Sequence, residues 1–149
     1  MHKKEFADQV VISAIKNALW GRESEDVSLE ENIVPIDAIL SNVAVPIKSC
    51  YIIRGEITDI TVFDRKPSLP SKAEIASAIQ ITPSLPDEGS YCSIRVVDES
   101  GTIDIITPPI TVSEEEAFER KYFLLYEYMT DEGKSLFLLG WARANPQEE

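Results

Sequence analysis

Apolar positions near the start of the chain recur with the period of an α-helix. Between residues 3 and 20, apolar side chains follow one another every three or four positions, while most charged residues fall between them. This spacing places the apolar side chains on one face of a helix. Gly21 comes next, and glycine is the residue that most often ends a helix with a positive φ angle. The pattern predicts an amphipathic helix over residues 3–20.

Two irregular stretches follow this helix. Residues 22–31 are polar and acidic and have no regular apolar period, which favours a loop. Residues 33–46 are apolar but contain Pro35 and Pro46, and proline interrupts a helix interior. Only a short helix over residues 36–41 is compatible with these prolines.

From residue 49 the apolar period changes to two, which is typical of β-strands. Residues 51–54 and 57–63 are rich in β-branched and aromatic side chains, the residues that strands favour. Gly55 lies between them, and the alternation shifts between Ile57 and Ile60. The sequence therefore predicts one strand with a bulge, or two short strands.

The second half of the chain contains two predicted hairpins. In each, two apolar segments flank a short polar connection that contains glycine, which supplies the positive φ angle of a tight turn. The first hairpin joins residues 93–97 to 102–106, and the second joins residues 122–129 to 135–142. The second pair is apolar on both faces, so we expect it in the interior of a sheet or beneath a helix.

The start of the second hairpin has a competing interpretation. Residues 113–116 match a helix capping box, and Phe118, Tyr122, Leu125 and Met129 keep helical spacing. A helix over residues 113–129 would replace the first strand of the hairpin. We favour a helical turn over residues 114–119 followed by the hairpin.

A repeated tetrapeptide, Pro-Ser-Leu-Pro, occurs at residues 67–70 and 83–86. Between the two copies, Ser71 and Glu74 form a capping-box pattern that predicts a short connecting helix over residues 71–80. The proline motifs would then bracket this helix. The alternative is a pair of polyproline ligands for a recognition domain, but no basic flanking residue is repeated.

Taken together, these elements predict an α+β fold in a single domain over residues 1–149. We expect an antiparallel sheet of about five strands, with the N-terminal amphipathic helix packed on one face and a short connecting helix. A chain of this size can bury most of its apolar surface without disulfides or a structural metal. Cys50 and Cys92 are therefore interpreted as small buried hydrophobic residues.

Charge changes this picture, because the chain carries a formal net charge of −12. Two segments hold most of the excess: residues 22–37 have six acids against one base, and residues 113–149 have nine acids against four bases. Such a field disfavours direct binding of a nucleic-acid backbone or an anionic membrane. It favours encounter with a basic partner.

Residues for common active sites are scarce in this sequence. His2 is the single histidine, no phosphate-binding glycine loop occurs, and no Gly-x-Ser-x-Gly nucleophile elbow is present. Three short acidic turns end in glycine, at residues 87–89, 98–101 and 131–133. We interpret them as local turns in which Asp accepts backbone hydrogen bonds. If two of them converged, they would form a weak cation site or an acidic patch.

Three hypotheses for function follow. The first is a non-enzymatic acidic module that binds a protein with a basic surface, such as an inhibitor, an immunity protein, a chaperone or an accessory subunit. The second is a small-molecule-binding or carboxylate-dependent enzyme domain. The third is a homo-oligomer that associates through the hairpin of residues 122–142, whose tyrosines suit either a core or a contact surface.

We favour the first hypothesis, with no cofactor, no metal, no membrane, no direct nucleic acid and a cytoplasmic location. The predicted partner-binding residues are Glu23, Glu25, Asp26, Glu30, Glu31, Glu114, Glu115 and Glu116.

Overall fold

The computed structural model describes residues 16, 17, 19–21, 29–79, 85, 90–109 and 119–143, and the structural statements below refer to these. Three helices are bounded within them: α1 (Leu29–Asn32), α2 (Ile36–Leu40) and α3 (Lys72–Ile79). The five strands are β1 (Cys50–Val62), β2 (Cys92–Val97), β3 (Thr102–Thr107), β4 (Lys121–Thr130) and β5 (Gly133–Arg143). Residues 16, 17, 19 and 20 are also helical, and the rest of the predicted N-terminal helix lies outside the described residues.

The strands form a closed barrel in the order β1-β2-β3-β5-β4. Every neighbouring pair is antiparallel except β3 and β5, which run parallel and meet at Ile106 and Phe137. The α+β class and the five strands are thus confirmed, whereas the predicted antiparallel sheet is wrong. The physical reason is that a strand alternates identically in an open sheet and in a barrel, so its period does not report closure.

Strand β1 bends so that each half pairs with a different neighbour. Residues 50–55 pair with β4 and residues 56–62 pair with β2. Where the halves meet, a Cβ on Gly55 would lie 2.5 Å from the carbonyl oxygen of Val97, so the close approach requires glycine. The register shifts between Ile57 and Asp59, which confirms the single bulged strand.

Both predicted hairpins are confirmed, as β2–β3 and β4–β5. The competing helix over residues 113–129 is wrong for residues 121–129, which are strand. The predicted helical turn lies outside the described residues apart from Glu119, which is not helical.

Two short helices were predicted in the described part of the chain, and both form. Helix α2 forms although its sequence signal was weak, and α3 begins with the predicted capping box. There the Glu74 backbone N–H donates to Ser71 Oγ at 3.0 Å, and the Ser71 N–H donates to Glu74 Oε1 at 2.8 Å. The predicted loop is wrong at residues 29–31, which belong to α1.

Two hydrophobic cores lie on opposite sides of the barrel wall. The inner core fills the barrel with alternate side chains from all five strands, and Ile36 and Ile39 of α2 cover one end. The outer core lies on the outside of β1, β4 and β5, beneath Leu19 and the α3 residues Ile75 and Ile79. The expectation that the second hairpin is buried on both faces is therefore confirmed. No helix in the described ranges is both long and apolar enough to span a bilayer.

Candidate functional site: a groove beside β3

A groove of about 520 Å³ opens between β3 and the start of β5. Thr102 and Asp104 line it from β3, and Ser135 and Leu136 line it from β5. Helix α2 and the loop after β1 contribute further apolar residues, among them Leu40 and Phe63. The groove exists because β3 and β5 are paired only where Ile106 meets Phe137, within the described chain.

Basic side chains at the groove form ion pairs with the chain's own carboxylates, and one also donates a hydrogen bond to an amide. Lys134 Nζ lies 2.6 Å from Asn42 Oδ1 and 3.3 Å from Glu127 Oε2. Arg95, on the neighbouring strand β2, donates from Nε to Asp104 Oδ1 at 3.0 Å. These pairs are solvent-exposed, so they add little stability, but they leave the mouth of the groove without an uncompensated positive charge from either residue.

One exposed apolar side chain lines the groove, and others lie in segments adjoining its lining. Leu40 lines it and is 57% exposed, and Val43 and Val45 in the following loop are 72% and 82% exposed. Met129, 75% exposed, lies opposite Lys134 in the β4–β5 hairpin. Apolar side chains that cluster at a surface often mark a site of protein association.

Two smaller cavities, of about 330 Å³ and 230 Å³, lie at the junction of α1, β1 and the β2–β3 turn. They share Arg54, Asp98 and Glu99. Arg54 Nη1 lies 2.6 Å from Glu30 Oε2, and Arg120 lies 3.8 Å from both Glu56 and Glu99. Both bases of this cleft are therefore paired with carboxylates of the chain, and four acids against two bases leave its lining negative.

Only two of the predicted partner-binding residues fall in the described part of the chain. Glu31 is exposed, whereas Glu30 is engaged by the protein itself. Besides Arg54, it accepts a hydrogen bond of 2.5 Å from the Tyr122 hydroxyl. Burial, followed by this hydrogen bond, raises the pKa of Tyr122 to about 12. The remaining predicted residues lie outside the described ranges: Glu23, Glu25, Asp26, Glu114, Glu115 and Glu116.

The tyrosines of β4 are core residues, each with a hydrogen-bonded hydroxyl. Tyr126 donates to Glu74 Oε2 at 3.1 Å and Tyr128 donates to the Ser68 carbonyl at 2.7 Å. Burial is the main reason that the pKa of each is raised to about 12. This face of the hairpin is covered by the chain's own α3 and the loop before it.

The local interpretation is confirmed for the turn at residues 98–101. In the turn at 131–133, the Glu132 N–H donates instead to Thr130 Oγ1 at 3.1 Å. Asp98 accepts backbone hydrogen bonds from Ser100 and Gly101, and its Oδ2 accepts the N–H of Ile36 at 3.0 Å. Burial alone would raise its pKa, but the Ser100 hydroxyl and these N–H groups together lower it. The turn at 87–89 lies outside the described residues.

Metal and thiol chemistry gain no support from the described residues. Among them no group of three or more His, Cys, Asp or Glu side chains is arranged to hold a metal ion. Cys50 and Cys92 are buried free thiols, and burial raises the pKa of Cys50 to about 12. The Cys50 thiol is therefore protonated at neutral pH.

The groove itself was not identified from sequence, because it depends on how far two distant strands separate. The exposed Leu40 would have been the one available signal, but its exposure follows from the position of α2. In comparisons with known proteins, no protein family model matches this chain, and no curated protein matches it significantly.

Proposed function

We propose that this protein is a non-enzymatic binding module whose acidic surface engages a partner protein with a basic surface. An inhibitor, an immunity protein, a chaperone or an accessory subunit would each fit this description. The observation that carries the proposal is the net charge of −12 on a chain that also presents an open groove lined in part by the exposed apolar side chain of Leu40. Apolar contact supplies affinity in such interfaces, and charge supplies steering.

Internal pairing of three basic residues supports the proposal. Arg54, Arg95 and Lys134 each contact a carboxylate of the same chain. Acids such as Glu31, Asp131 and Glu132 are exposed. A partner approaching this surface therefore meets acids more readily than bases, which speeds encounter with a positively charged protein.

The other two hypotheses have weaker support. A carboxylate-dependent enzyme needs acids that are free to exchange protons, but Asp104 in the groove is bonded to Arg95. Association through the second hairpin needs an exposed face, but the Tyr122, Tyr126 and Tyr128 side chains are buried by the chain's own elements. Met129 is the large apolar side chain of β4 that stays exposed.

The proposal is tested by capturing, identifying and purifying a partner with the full-length chain. We expect a stoichiometric protein with a basic surface, whose association rate falls steeply between ~0.05 M and ~0.5 M salt because screening shortens the range of the field. Absence of a stoichiometric partner, or an affinity that salt does not change, would contradict the proposal.

Charge-reversal variants show which acidic cluster contacts the partner. Triple Lys variants at Glu23, Glu25 and Asp26, and at Glu114, Glu115 and Glu116, should slow association about tenfold without lowering the melting temperature. A Glu148→Lys, Glu149→Lys variant reverses acids outside both clusters and serves as the control. Equal slowing per reversed charge in all three variants would show that only net charge matters and would remove both clusters as the site.

One observation favours a second candidate, single-stranded nucleic acid. The barrel has the strand order of the oligonucleotide- and oligosaccharide-binding fold, whose ligands lie on the face of strands 2 and 3 and against the flanking loops. The groove occupies that position, with Phe63 and Pro67 from the β1–β2 connection and Glu132 from the β4–β5 turn. The negative charge counts against this candidate, and anisotropy of a labelled oligonucleotide tests it directly.

A further inference from the structure

We propose that the groove accepts an extended segment of the partner, which adds as a strand along the free edge of β3 and carries basic residues towards the β4–β5 turn. This inference rests on the proposed function and names its site. It is carried by the register of β3, the shape of the groove and the charges at its mouth.

The register of the first hairpin shows which main-chain groups of β3 are directed to its free edge. The Asp98 N–H donates to the Gly101 carbonyl at 3.0 Å, which fixes that pair as hydrogen-bonded. Hydrogen-bonded pairs alternate along an antiparallel ladder. Since Val97 opposes Thr102, Thr102 and Asp104 direct their N–H and C=O groups away from β2.

Those groups face the groove. Strand β5 lies on that side, but within the described residues it is paired with β3 only at Ile106 and Phe137. Thr102 and Asp104 both line the groove, at the end where the two strands have separated. An unpaired row of main-chain donors and acceptors is the usual docking edge for an extended peptide.

The side chains around this edge suit an alternating apolar segment. A peptide strand turns alternate side chains to opposite faces. Phe63 and Ile106 of the groove lining lie on the side of the outer core, and Leu40 lies on α2, which covers the inner core, so each set of side chains has apolar residues near it. Leu40 is 57% exposed, so a bound apolar side chain would cover it. A groove of about 520 Å³ also lies within the ~300–1,000 Å³ range of ligand sites in proteins.

Charge complementarity selects a basic segment. Lys134, the base among the described lining residues, is already held by Asn42 and Glu127. Glu132 lines the groove and Asp131 neighbours it in the turn, and both are exposed. A Lys or Arg at the end of the segment nearest the β4–β5 turn would meet these carboxylates.

The test uses a fluorescein-labelled peptide in which Val and Lys alternate, and the full-length protein. Two matched peptides carry N-methyl groups on one or the other set of alternate residues, so side chains and charge are unchanged while one edge loses its N–H donors. We expect one methylated peptide to bind about tenfold more weakly and the other to bind like the parent. Equal binding of all three, or no binding of any, would overturn strand addition.

Two variants with the same exposure locate the site. Leu40→Asp should weaken peptide binding about tenfold, whereas Val62→Asp, also 57% exposed but outside the lining, should leave it unchanged. Equal weakening by both would mean that apolar contact at Leu40 is not what holds the peptide, and it would overturn the groove as the binding site. Thermal melting checks that both variants remain folded.

The outcomes separate this inference from the proposed function. Salt-sensitive binding of a basic partner that is unaffected by Leu40→Asp would leave the proposed function standing and overturn the groove as its site. Displacement of the peptide by an unlabelled oligothymidine at a lower concentration than by unlabelled peptide would overturn it in favour of nucleic acid.

Discussion

The inner and outer cores share strands β1, β4 and β5 but are built from different side chains. The inner core is mostly Ile, Val and Leu, with Phe123 and Tyr51. The outer core contains four tyrosines, of which Tyr122, Tyr126 and Tyr128 hydrogen-bond to groups on the covering elements. The inner core is thus held mainly by the fit of apolar side chains. In the outer core, hydrogen bonds from the tyrosine hydroxyls also fix the position of particular groups on the covering elements.

The difference separates two ways of holding a barrel together. Apolar packing is non-directional and tolerates sliding, so it closes the barrel without positioning α1 or α3. A buried hydroxyl needs a partner at a defined distance. Glu30 of α1 and Glu74 of α3 supply two of these partners, so the outer core fixes both helices on the barrel wall.

The largest expected effect comes from breaking the inner core. Phe123 is fully buried and packs edge-on against Trp141, with the two ring centroids 6.0 Å apart. Phe123→Ala should lower the free energy of unfolding by about 3–5 kcal/mol, because it removes apolar contact and leaves a cavity. Urea denaturation measures the change, with exposed Met129→Ala as the control. A loss no larger than that of the control would contradict the assignment of this core.

The next largest effect comes from removing one partner in the outer core. Glu30→Ala removes the acceptor of the partly buried Tyr122 hydroxyl. We expect a loss of about 1.5–3 kcal/mol, the usual worth of a hydrogen bond to a charged group. Glu31→Ala, next to it but exposed, should change little. Equal stability of the two variants would show that Glu30 is a surface acid, as the sequence suggested.

A smaller effect is expected where the inner core meets α2. Asp98→Ala removes the acceptor of the Ile36 N–H and should cost about 0.5–2 kcal/mol, as for other helix caps. The pKa of Asp98 is lowered in the folded protein, so the ionised carboxylate stabilises the fold at neutral pH. This contribution to the free energy of unfolding is lost as the pH falls through the lowered pKa. Urea denaturation at pH ~7 and pH ~3 measures both effects; exposed Glu99→Ala is the control.

The smallest effect at neutral pH concerns tyrosine ionisation. Burial raises the pKa of Tyr122, Tyr126 and Tyr128 to about 12, against ~10 in an unfolded chain. The protonated tyrosines contribute fully to the free energy of unfolding below pH ~10, and this contribution is lost as the pH rises through about 12. Tyrosinate absorbance and circular dichroism should therefore change together in strong base. In the triple Phe variant, stability should fall less steeply over this range, and the remaining slope comes from groups such as Cys50, whose pKa is also raised by burial; a slope like that of the parent would contradict the mechanism.

Local features of the fold were readable from sequence, and features that join distant residues were not. The capping box of α3 involves Ser71 and Glu74, and the bulge of β1 shows in the alternation around Ile57, so each lies within a few residues. The parallel contact of β3 with β5 joins residues of two separate hairpins. No short pattern encodes such a contact, and the predicted sheet therefore stayed open and antiparallel.

The candidate site was harder to predict from the sequence for the same reason. Acidity could be assigned to segments, but whether an acid is free depends on tertiary partners. Glu30 and Tyr122 are 92 positions apart, so nothing near Glu30 in the sequence marks it as a structural residue. The groove depends on the separation of β3 from β5, which no composition or period reports.

That single meeting point of β3 and β5 also has a kinetic consequence. Each hairpin forms from neighbouring segments, whereas Ile106 and Phe137 must be brought together across a long loop, and such contacts are slow to form. We expect the hairpins to assemble early and the junction to close last. Weakening the junction should then accelerate unfolding far more than it slows folding, which makes it the part of the barrel that sets the lifetime of the folded state.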